Sequence, residues 1–233
     1  MMKTILLSIL CTLTLFAKEQ IVLVVASDFN TSKAILYTYE KEGADYTQIF
    51  KPLSVNLGRS GLAWGIGLLE IPHGLYEPLK HEGDGKAPAG IFLLSATFAY
   101  DKNTPTKLPL LHATKQLVCV DDSSSDDYNK ILNVTDPKIH FKSFEWMHRN
   151  DDLYQIGVVI DHNSARIKDS GSCIFLHVQR EQNTPTSGCT AMPYTALKKI
   201  VTWLDASKHP VLIQIPKQYC SKLPLPYTNL ECK

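Results

Sequence analysis

The stretch "CIFLHVQREQNTPTSGCTAMP", residues 173–193, joins an apolar segment to a polar loop that ends in Gly188 and Cys189. The apolar part has the character of a strand, in which alternate side chains face opposite sides. His177 therefore shares a face with Phe175. The stretch places a thiol and an imidazole at the two ends of one loop, which is consistent with an activated cysteine. A buried structural cysteine beside a core histidine is the alternative that these residues leave open.

The rest of the chain predicts a β-rich α+β domain with a few helices. Residues 194–206 predict a helix, because apolar side chains recur there at i, i+3, i+4 and i+7. Residues 142–151 are a weaker helix candidate, and residues 101–115 are a long loop that could cover a cleft. Short segments rich in branched and aromatic residues predict strands at residues 21–26, 32–41, 90–96, 156–162, 173–178 and 210–216.

Composition narrows the function classes. The chain has 233 residues, of which 44% are hydrophobic and 20% charged, with a formal net charge of +1. These values are typical of a globular protein with one large domain or two small ones. The near-neutral charge provides no field that would gather nucleic acid, so nucleic-acid binding is not expected.

The N-terminal segment "MMKTILLSILCTLTLFAKEQ" has the pattern of a secretory signal peptide. Lys3 precedes an apolar run over residues 4–16, and Ala17 provides a small residue at the cleavage site. The run is shorter than the roughly 20 residues of a membrane-spanning helix. We expect cleavage after Ala17, export to the periplasm and no permanent membrane span.

Export changes the interpretation of the cysteines. Removal of Cys11 leaves five of the six, an odd number, so in an oxidising compartment one thiol stays unpaired. Sequence alone does not determine the pairing. The favoured arrangement pairs Cys220 with Cys232 across the tail and Cys119 with Cys173, which leaves Cys189 free.

Cys189 comes shortly before the predicted helix. Unpaired backbone N–H groups at a helix N-terminus lower the pKa of a nearby thiol and can bind an oxyanion. A zinc site built from Cys173, His177 and Cys189 is a weaker alternative, since these residues lack a tight Cys-x-x-Cys pair.

Several blocks in one order resemble a known family. They are "LGRSGLAWG" (57–65), "KHEGDGKAPAGIF" (80–92), "CVDDSSSDDYN" (119–129), "GSCIFLHV" (171–178) and "GCTAMPYTALKKIVTWLD" (188–205). Together with "HVQREQNTPTSGCTAM", they resemble a divergent bacterial branch of the L,D-transpeptidase catalytic domain, also called the YkuD domain. The similarity extends over most of the chain after residue 17.

This resemblance implies a mixed β-sandwich with a few helices, one of which follows the catalytic cysteine. It implies a catalytic domain over residues 18–218, followed by a tail over residues 219–233 that a disulfide could close. Cys189 falls on the family nucleophile, His177 on its histidine and Gly188 on its glycine, whose amide would help to hold the oxyanion.

The implied function is that of an exported peptidoglycan L,D-transpeptidase, which forms a Cys189 thioester on stem tetrapeptides. Water in place of an amine acceptor would make the protein an L,D-carboxypeptidase that trims tetrapeptides to tripeptides. A non-catalytic wall-binding module is a further alternative. The expected partners are peptidoglycan stem peptides, no metal or other cofactor is required, and protein partners stay open.

The sequence departs from the family pattern at two places. Ser187 stands where better-known members have a second histidine, and Ala191 stands where they have an Arg or Asn that could bind a substrate carboxylate. Another residue must therefore bind the substrate. The predicted substrate-binding residues are Thr186, Ser187, Arg59, Lys80, Glu82 and Asn163, with Lys86 as a further candidate cation.

Overall fold

The computed structural model describes residues 18–134, 141–230 and 232, so the predicted signal peptide lies outside the described part. The described part contains fourteen strands and one α-helix, α1 (Tyr194–Trp203). Two short 3₁₀ helices, Ala206–Lys208 and Lys217–Lys222, flank the last strand. The strands are β1 (Glu19–Ala26), β2 (Lys33–Glu42), β3 (Asp45–Gln48), β4 (Leu53–Asn56), β5 (Leu62–Trp64), β6 (Ala87–Ala99), β7 (Leu110–His112), β8 (Leu117–Cys119), β9 (Ile131–Asn133), β10 (Glu145–Trp146), β11 (Ile156–Ile160), β12 (Phe175–Val178), β13 (Thr190–Met192) and β14 (Val211–Pro216).

Eight strands close into a mixed barrel in the order β1-β14-β6-β11-β12-β13-β4-β2, and β2 pairs again with β1. Only β1–β14 and β12–β13 are parallel neighbours in this ring. The ring closes because β1 is buried over nearly its whole length and pairs on both edges. The β-rich class is confirmed, but the predicted sandwich is wrong, since closure joins what would be two sheets.

A second, three-stranded sheet lies beside the barrel in the order β10-β8-β9. Strand β12 contributes to two hydrophobic clusters: Leu176 belongs to the main core, and Phe175 to a smaller cluster that includes residues of the small sheet. Helix α1 packs its apolar stripe near β11 and β12. This helix confirms the one predicted from residues 194–206.

Two disulfides cross-link the fold. Cys119 pairs with Cys173 and ties β8 of the small sheet to the segment that enters β12, with the two Cα atoms 5.9 Å apart. Cys220 pairs with Cys232 in the C-terminal tail. Cys189 is a free, buried thiol. The favoured pairing is thus confirmed, and the disulfides fit a protein that folds outside the reducing cytoplasm.

Two local predictions differ from the structure. Residues 142–151 form β10 and turns instead of a helix, because β10 pairs with β8 and tertiary pairing overrides a weak helical pattern. Residues 101–115 include β7, which pairs in parallel with β6. In the described ranges, no helix is long and apolar enough to cross a membrane. The division into domains stays a prediction.

Gly157 in β11 leaves the space that an aromatic ring of the smaller cluster occupies. An added Cβ would lie 2.1 Å from Cζ of Phe98 and 2.7 Å from the Leu176 carbonyl oxygen. We expect Gly157→Ala to lower the free energy of unfolding by about 1–3 kcal/mol, because the backbone and a packed ring must both move. Denaturant unfolding measures this change.

The matched control is Gly74→Ala, where an added Cβ would have its nearest neighbour at 3.6 Å. This exposed substitution should change the free energy of unfolding by less than about 0.5 kcal/mol. Equal effects at both positions would contradict the close packing over Gly157.

Candidate active site

The pairing of β12 with β13 brings the two predicted reactive residues to one face of the barrel. His177 lies opposite Ala191 in this parallel pair, and Leu176 lies opposite Thr190. Cys189 directly precedes β13, so it falls beside Phe175 and on the face that carries His177. Cys189 and His177 line the same cleft.

The loop before Cys189 is held by its own side chains. The Gly188 N–H donates to Oγ1 of Thr186 at 3.1 Å, and that hydroxyl donates to the Cys189 carbonyl oxygen at 2.6 Å. Gly188 has φ +154°, and an added Cβ would approach the Lys86 carbonyl oxygen to 3.1 Å. The Gly188 amide is engaged inside the loop in this structure; the oxyanion-holding role that the family resemblance implies for it stays a prediction.

Burial controls the chemistry of the thiol. The pKa of Cys189 is raised to about 12, mainly by burial and next by the nearby Glu145 carboxylate, against the lowering effects of the Phe175 N–H, Lys80 and the Tyr154 hydroxyl. The predicted helix N-terminus does not lie at the thiol, because β13 separates Cys189 from α1. The expectation of a thiol pKa lowered by the helix is wrong.

His177 is buried and uncharged at neutral pH. Its pKa is lowered to about 4, mainly by burial and also by Arg149, against the raising effects of the Val178 carbonyl and Asp151. Nδ1 of His177 lies 2.8 Å from the Val178 carbonyl oxygen. Because a carbonyl only accepts, Nδ1 carries the proton and Nε2 is left as the basic nitrogen.

An aromatic wall packs behind the imidazole. The ring of Tyr154 meets that of His177 edge to face, with centroids 5.3 Å apart. The Tyr154 hydroxyl donates to Oε2 of Glu145 at 2.5 Å. The guanidinium of Arg149 lies 5.1 Å from the centroid of the same ring.

The cleft has a volume of about 540 Å³ and a strongly charged lining. It is open to solvent, since Arg59, Arg180 and Ser187 on its lining are exposed. Its charged side chains are Arg59, Lys80, Glu82, Asp121, Glu145, Arg149 and Arg180.

The cations of the cleft differ in how far they are already neutralised. Lys80 is buried and its ammonium donates to Asp84 at 2.6 Å. Arg149 and Arg180 share the single carboxylate of Asp151. Within residues 18–134 and 141–230, no carboxylate forms an ion pair with Arg59. The cleft therefore has guanidinium charge available for an anionic ligand.

The acidic side chains of the cleft include one oxygen that finds no partner. Glu82 accepts from Tyr128 at 2.5 Å and from Ser172 at 2.7 Å. Oδ1 of Asp121 is buried without a hydrogen bond to any described residue. An unsatisfied buried carboxylate oxygen suits a cationic or hydrogen-donating ligand.

The structure brings most of the predicted site residues to this cleft, but not Asn163. Its side chain is buried in a turn, where it donates to the carbonyls of Ile167 and Gly171 and accepts from the Ile167 N–H. Lys86 donates to the Ser60 carbonyl and does not line the cleft. The residues found in the cleft are Cys189, His177, Gly188, Thr186, Ser187, Arg59, Lys80 and Glu82.

Sequence reasoning missed five cleft residues: Tyr154, Glu145, Arg149, Arg180 and Asp121. Arg180 follows His177 by three residues, and this short spacing was the one feature of the sequence that could have placed a missed residue near the site. The others come from the small sheet and its connections, and sequence spacing does not show that this sheet packs against β12.

The proposed zinc ligands are not available together, because the sulfur of Cys173 is bonded to Cys119. Among the described residues, no group of three or more His, Cys, Asp or Glu side chains could hold a metal ion.

Comparisons with known proteins give distant structural matches. No family model matches the chain, and no curated protein matches it. Two crystal structures of the helical cell shape determining protein Pgp2 from Campylobacter jejuni, one of them a mutant, match with TM-scores of 0.43 and 0.42 and identities of 14% and 15%. Each match covers 85% of this chain but 48% and 47% of the Pgp2 chain, so the chain spans about half the length of Pgp2.

These findings correct the assignment made from the sequence blocks. The resemblance to the L,D-transpeptidase family is not matched by any family model, and the similar solved structures are those of a cell shape determining protein. The family assignment and the transpeptidase function that followed from it are therefore wrong.

The buried imidazole makes stability depend on pH. The pKa of His177 falls from an ordinary 6.5 to about 4 in the folded protein, so its contribution is complete above pH 6.5 and is lost as pH falls towards 4. We expect His177→Asn to reduce the acid-induced loss of unfolding free energy between these values by up to about 3 kcal/mol. Chemical unfolding at a series of pH values measures it.

The control for this experiment is His112→Asn, at an exposed histidine in β7. It should retain the acid-induced loss of the unsubstituted protein. An unchanged loss in His177→Asn as well would show that the imidazole is not held neutral by burial.

Proposed function

We propose that the protein is an exported cysteine peptidase of the L,D-carboxypeptidase type, which removes the terminal D-alanine from peptidoglycan stem tetrapeptides. The observation that carries this proposal is that the free thiol of Cys189 and the imidazole of His177 line the same open, charged cleft. A short peptide with charged ends matches the lining of that cleft.

Acylation begins with the Cys189 thiol and the His177 imidazole both uncharged. Nε2 of His177 takes the proton of the Cys189 thiol as the sulfur attacks the amide carbonyl carbon before D-alanine. A C–S bond forms, the C–N bond breaks, and the imidazolium gives its proton to the departing amine. Because neither group is charged at rest, ion-pair formation is coupled to attack on the substrate.

Deacylation needs only water, which the open cleft admits. His177 takes a proton from the water molecule as its oxygen attacks the thioester carbon. The C–O bond forms, the C–S bond breaks, and the proton returns to the sulfur. The products are D-alanine and a tripeptide.

The charges of the cleft fit a peptide that carries both a carboxylate and an amine. The Arg59 guanidinium is a candidate for the terminal carboxylate, since it is exposed on the cleft and has no described ion-pair partner. Asp121 offers a buried unsatisfied oxygen to the side-chain ammonium of a diamino acid. Ala191 is too small to bind the substrate carboxylate, so Arg59 would compensate for it.

Incubation with purified sacculi, followed by muropeptide analysis, tests the activity. We expect tetrapeptides to be converted to tripeptides with release of D-alanine, and Cys189→Ala to abolish the conversion because it removes the nucleophile. Cys220→Ser with Cys232→Ser, which removes a disulfide outside the cleft, serves as a control and should retain activity while it is folded. New cross-linked dimers, or an active Cys189→Ala protein, would contradict the proposal.

Carboxylate recognition is tested by Arg59→Gln. Loss of a charge-assisted hydrogen bond should raise KM for a soluble stem tetrapeptide about tenfold or more, with a smaller effect on kcat. Arg166→Gln, at an exposed arginine outside the cleft, is the matched control and should leave both constants unchanged. A KM that stays the same in Arg59→Gln would assign the carboxylate to another cation.

A further inference from the structure

Tyr154 is close to two groups of the site. Its hydroxyl donates to Oε2 of Glu145 at 2.5 Å, and its side chain belongs to the same hydrophobic cluster as Cys189 and lines the same cleft. The ring is 5% exposed and packs edge to face on His177 and Phe175. Packing on several sides fixes where the hydroxyl points, so it is preorganised for a role at the sulfur.

We propose that the Tyr154 hydroxyl donates a hydrogen bond to the sulfur of Cys189 when that sulfur is negatively charged, and that Glu145 is the positioning residue that controls this bond. The proposal deepens the carboxypeptidase function and rests on it, since there the thiolate is both the nucleophile and the leaving group.

One proton limits what Tyr154 can do. In the structure this proton is given to Glu145, so the hydroxyl cannot also serve the sulfur. If Glu145 is protonated, its own O–H donates to the tyrosine oxygen, and the tyrosine proton turns to the sulfur. The hydrogen bonds then run from the Glu145 O–H to the Tyr154 oxygen and from the Tyr154 O–H to the Cys189 sulfur. The two O–H groups only reorient, and no proton is transferred between these residues.

The surroundings of Glu145 make its carboxylate easier to protonate than a carboxylate in water. Burial raises the pKa of Glu145, and the carboxylates of Asp121 and Glu82 raise it further, against the opposing effects of the Tyr154 hydroxyl and Arg149. The pKa of Tyr154 is raised by burial and by Glu145 and Cys189, so the phenol keeps its proton and acts as a donor.

The charge state of Glu145 also acts directly on the nucleophile. A charged Glu145 raises the pKa of Cys189, second only to burial, whereas the Tyr154 hydroxyl lowers it. Protonation of Glu145 therefore removes a repulsive charge and at the same time frees a donor for the thiolate. Both effects make the sulfur easier to ionise.

The test measures the alkylation rate of Cys189 by iodoacetamide, followed at the Cys189 peptide by mass spectrometry. The thiolate is the form that reacts. Tyr154→Phe keeps the ring and removes the donor, so we expect alkylation about tenfold slower. Glu145→Gln removes the charge and leaves an amide that donates to the tyrosine oxygen, so we expect alkylation about tenfold faster.

The two substitutions should be coupled. In a Tyr154→Phe background, Glu145→Gln should accelerate alkylation less than it does alone, because part of its effect passes through the hydroxyl. Tyr227→Phe is the matched control: Tyr227 is another buried tyrosine that donates to a glutamate, Glu19, at 2.5 Å and does not line the cleft. It should leave the rate unchanged.

An unchanged alkylation rate in folded Tyr154→Phe would overturn the proposal. Slower alkylation in both single variants would also overturn it, because a purely structural role for the pair predicts that pattern. If Tyr154→Phe fails to fold, Glu145→Gln alone tests the proposal: faster alkylation would support it, and unchanged or slower alkylation would overturn it. Alkylation needs no peptide substrate, so failure of the unsubstituted protein to trim stem peptides would contradict the proposed function separately.

Discussion

The parallel register between β12 and β13 is the constraint on which the site depends. Because His177 lies opposite Ala191, the residue before β13 falls on the face of the imidazole, and that residue is Cys189. A shift of one residue would turn the thiol to the other face of the sheet, towards the main core. The ring of eight strands fixes this register, since β12 is held by β11 on one edge and β13 is held by β4 on the other.

The same strand divides two environments. Leu176 belongs to the main core, while His177 and its neighbours face the small sheet, which contributes Glu145. The reactive side chains are therefore buried, while the cleft above them is charged. Burial keeps the thiol and the imidazole neutral, whereas Arg59 in the cleft is available to select a ligand.

The sequence allowed a correct prediction of those features that depend on local pattern. The strand containing His177, the helix after Pro193 and the face shared by His177 and Phe175 all follow from periodicity and turn residues. The disulfides followed from an odd cysteine count and the tail spacing of Cys220 and Cys232. Several blocks of sequence in order suggested a family, but such short matches in one sequence did not establish it.

What could not be predicted depends on which distant segments meet. Closure of the barrel requires β1 to pair on both edges, and an apolar run is equally compatible with an open sandwich. The role of the small sheet was also hidden, because Glu145 and Tyr154 are brought to Cys189 by packing and not by sequence spacing. The thiol pKa was predicted in the wrong direction because burial is the main cause of its shift, and three residues of strand separate Cys189 from α1.

The position of Cys189 has a consequence for how the chain is oxidised. Cys119, Cys173 and Cys189 belong to one hydrophobic cluster. The native bridge closes a separation of 54 residues, whereas Cys173 and Cys189 are only 16 apart, which favours the wrong bridge in an unfolded chain by about 1 kcal/mol of loop-closure entropy. A chain joined that way has as many disulfides as the native protein and no nucleophile. A free Cys189 thus requires the Cys119–Cys173 bridge, which forms either when the barrel and the small sheet associate before oxidation or when the free Cys119 thiol displaces Cys189 from a wrong bridge by thiol–disulfide exchange.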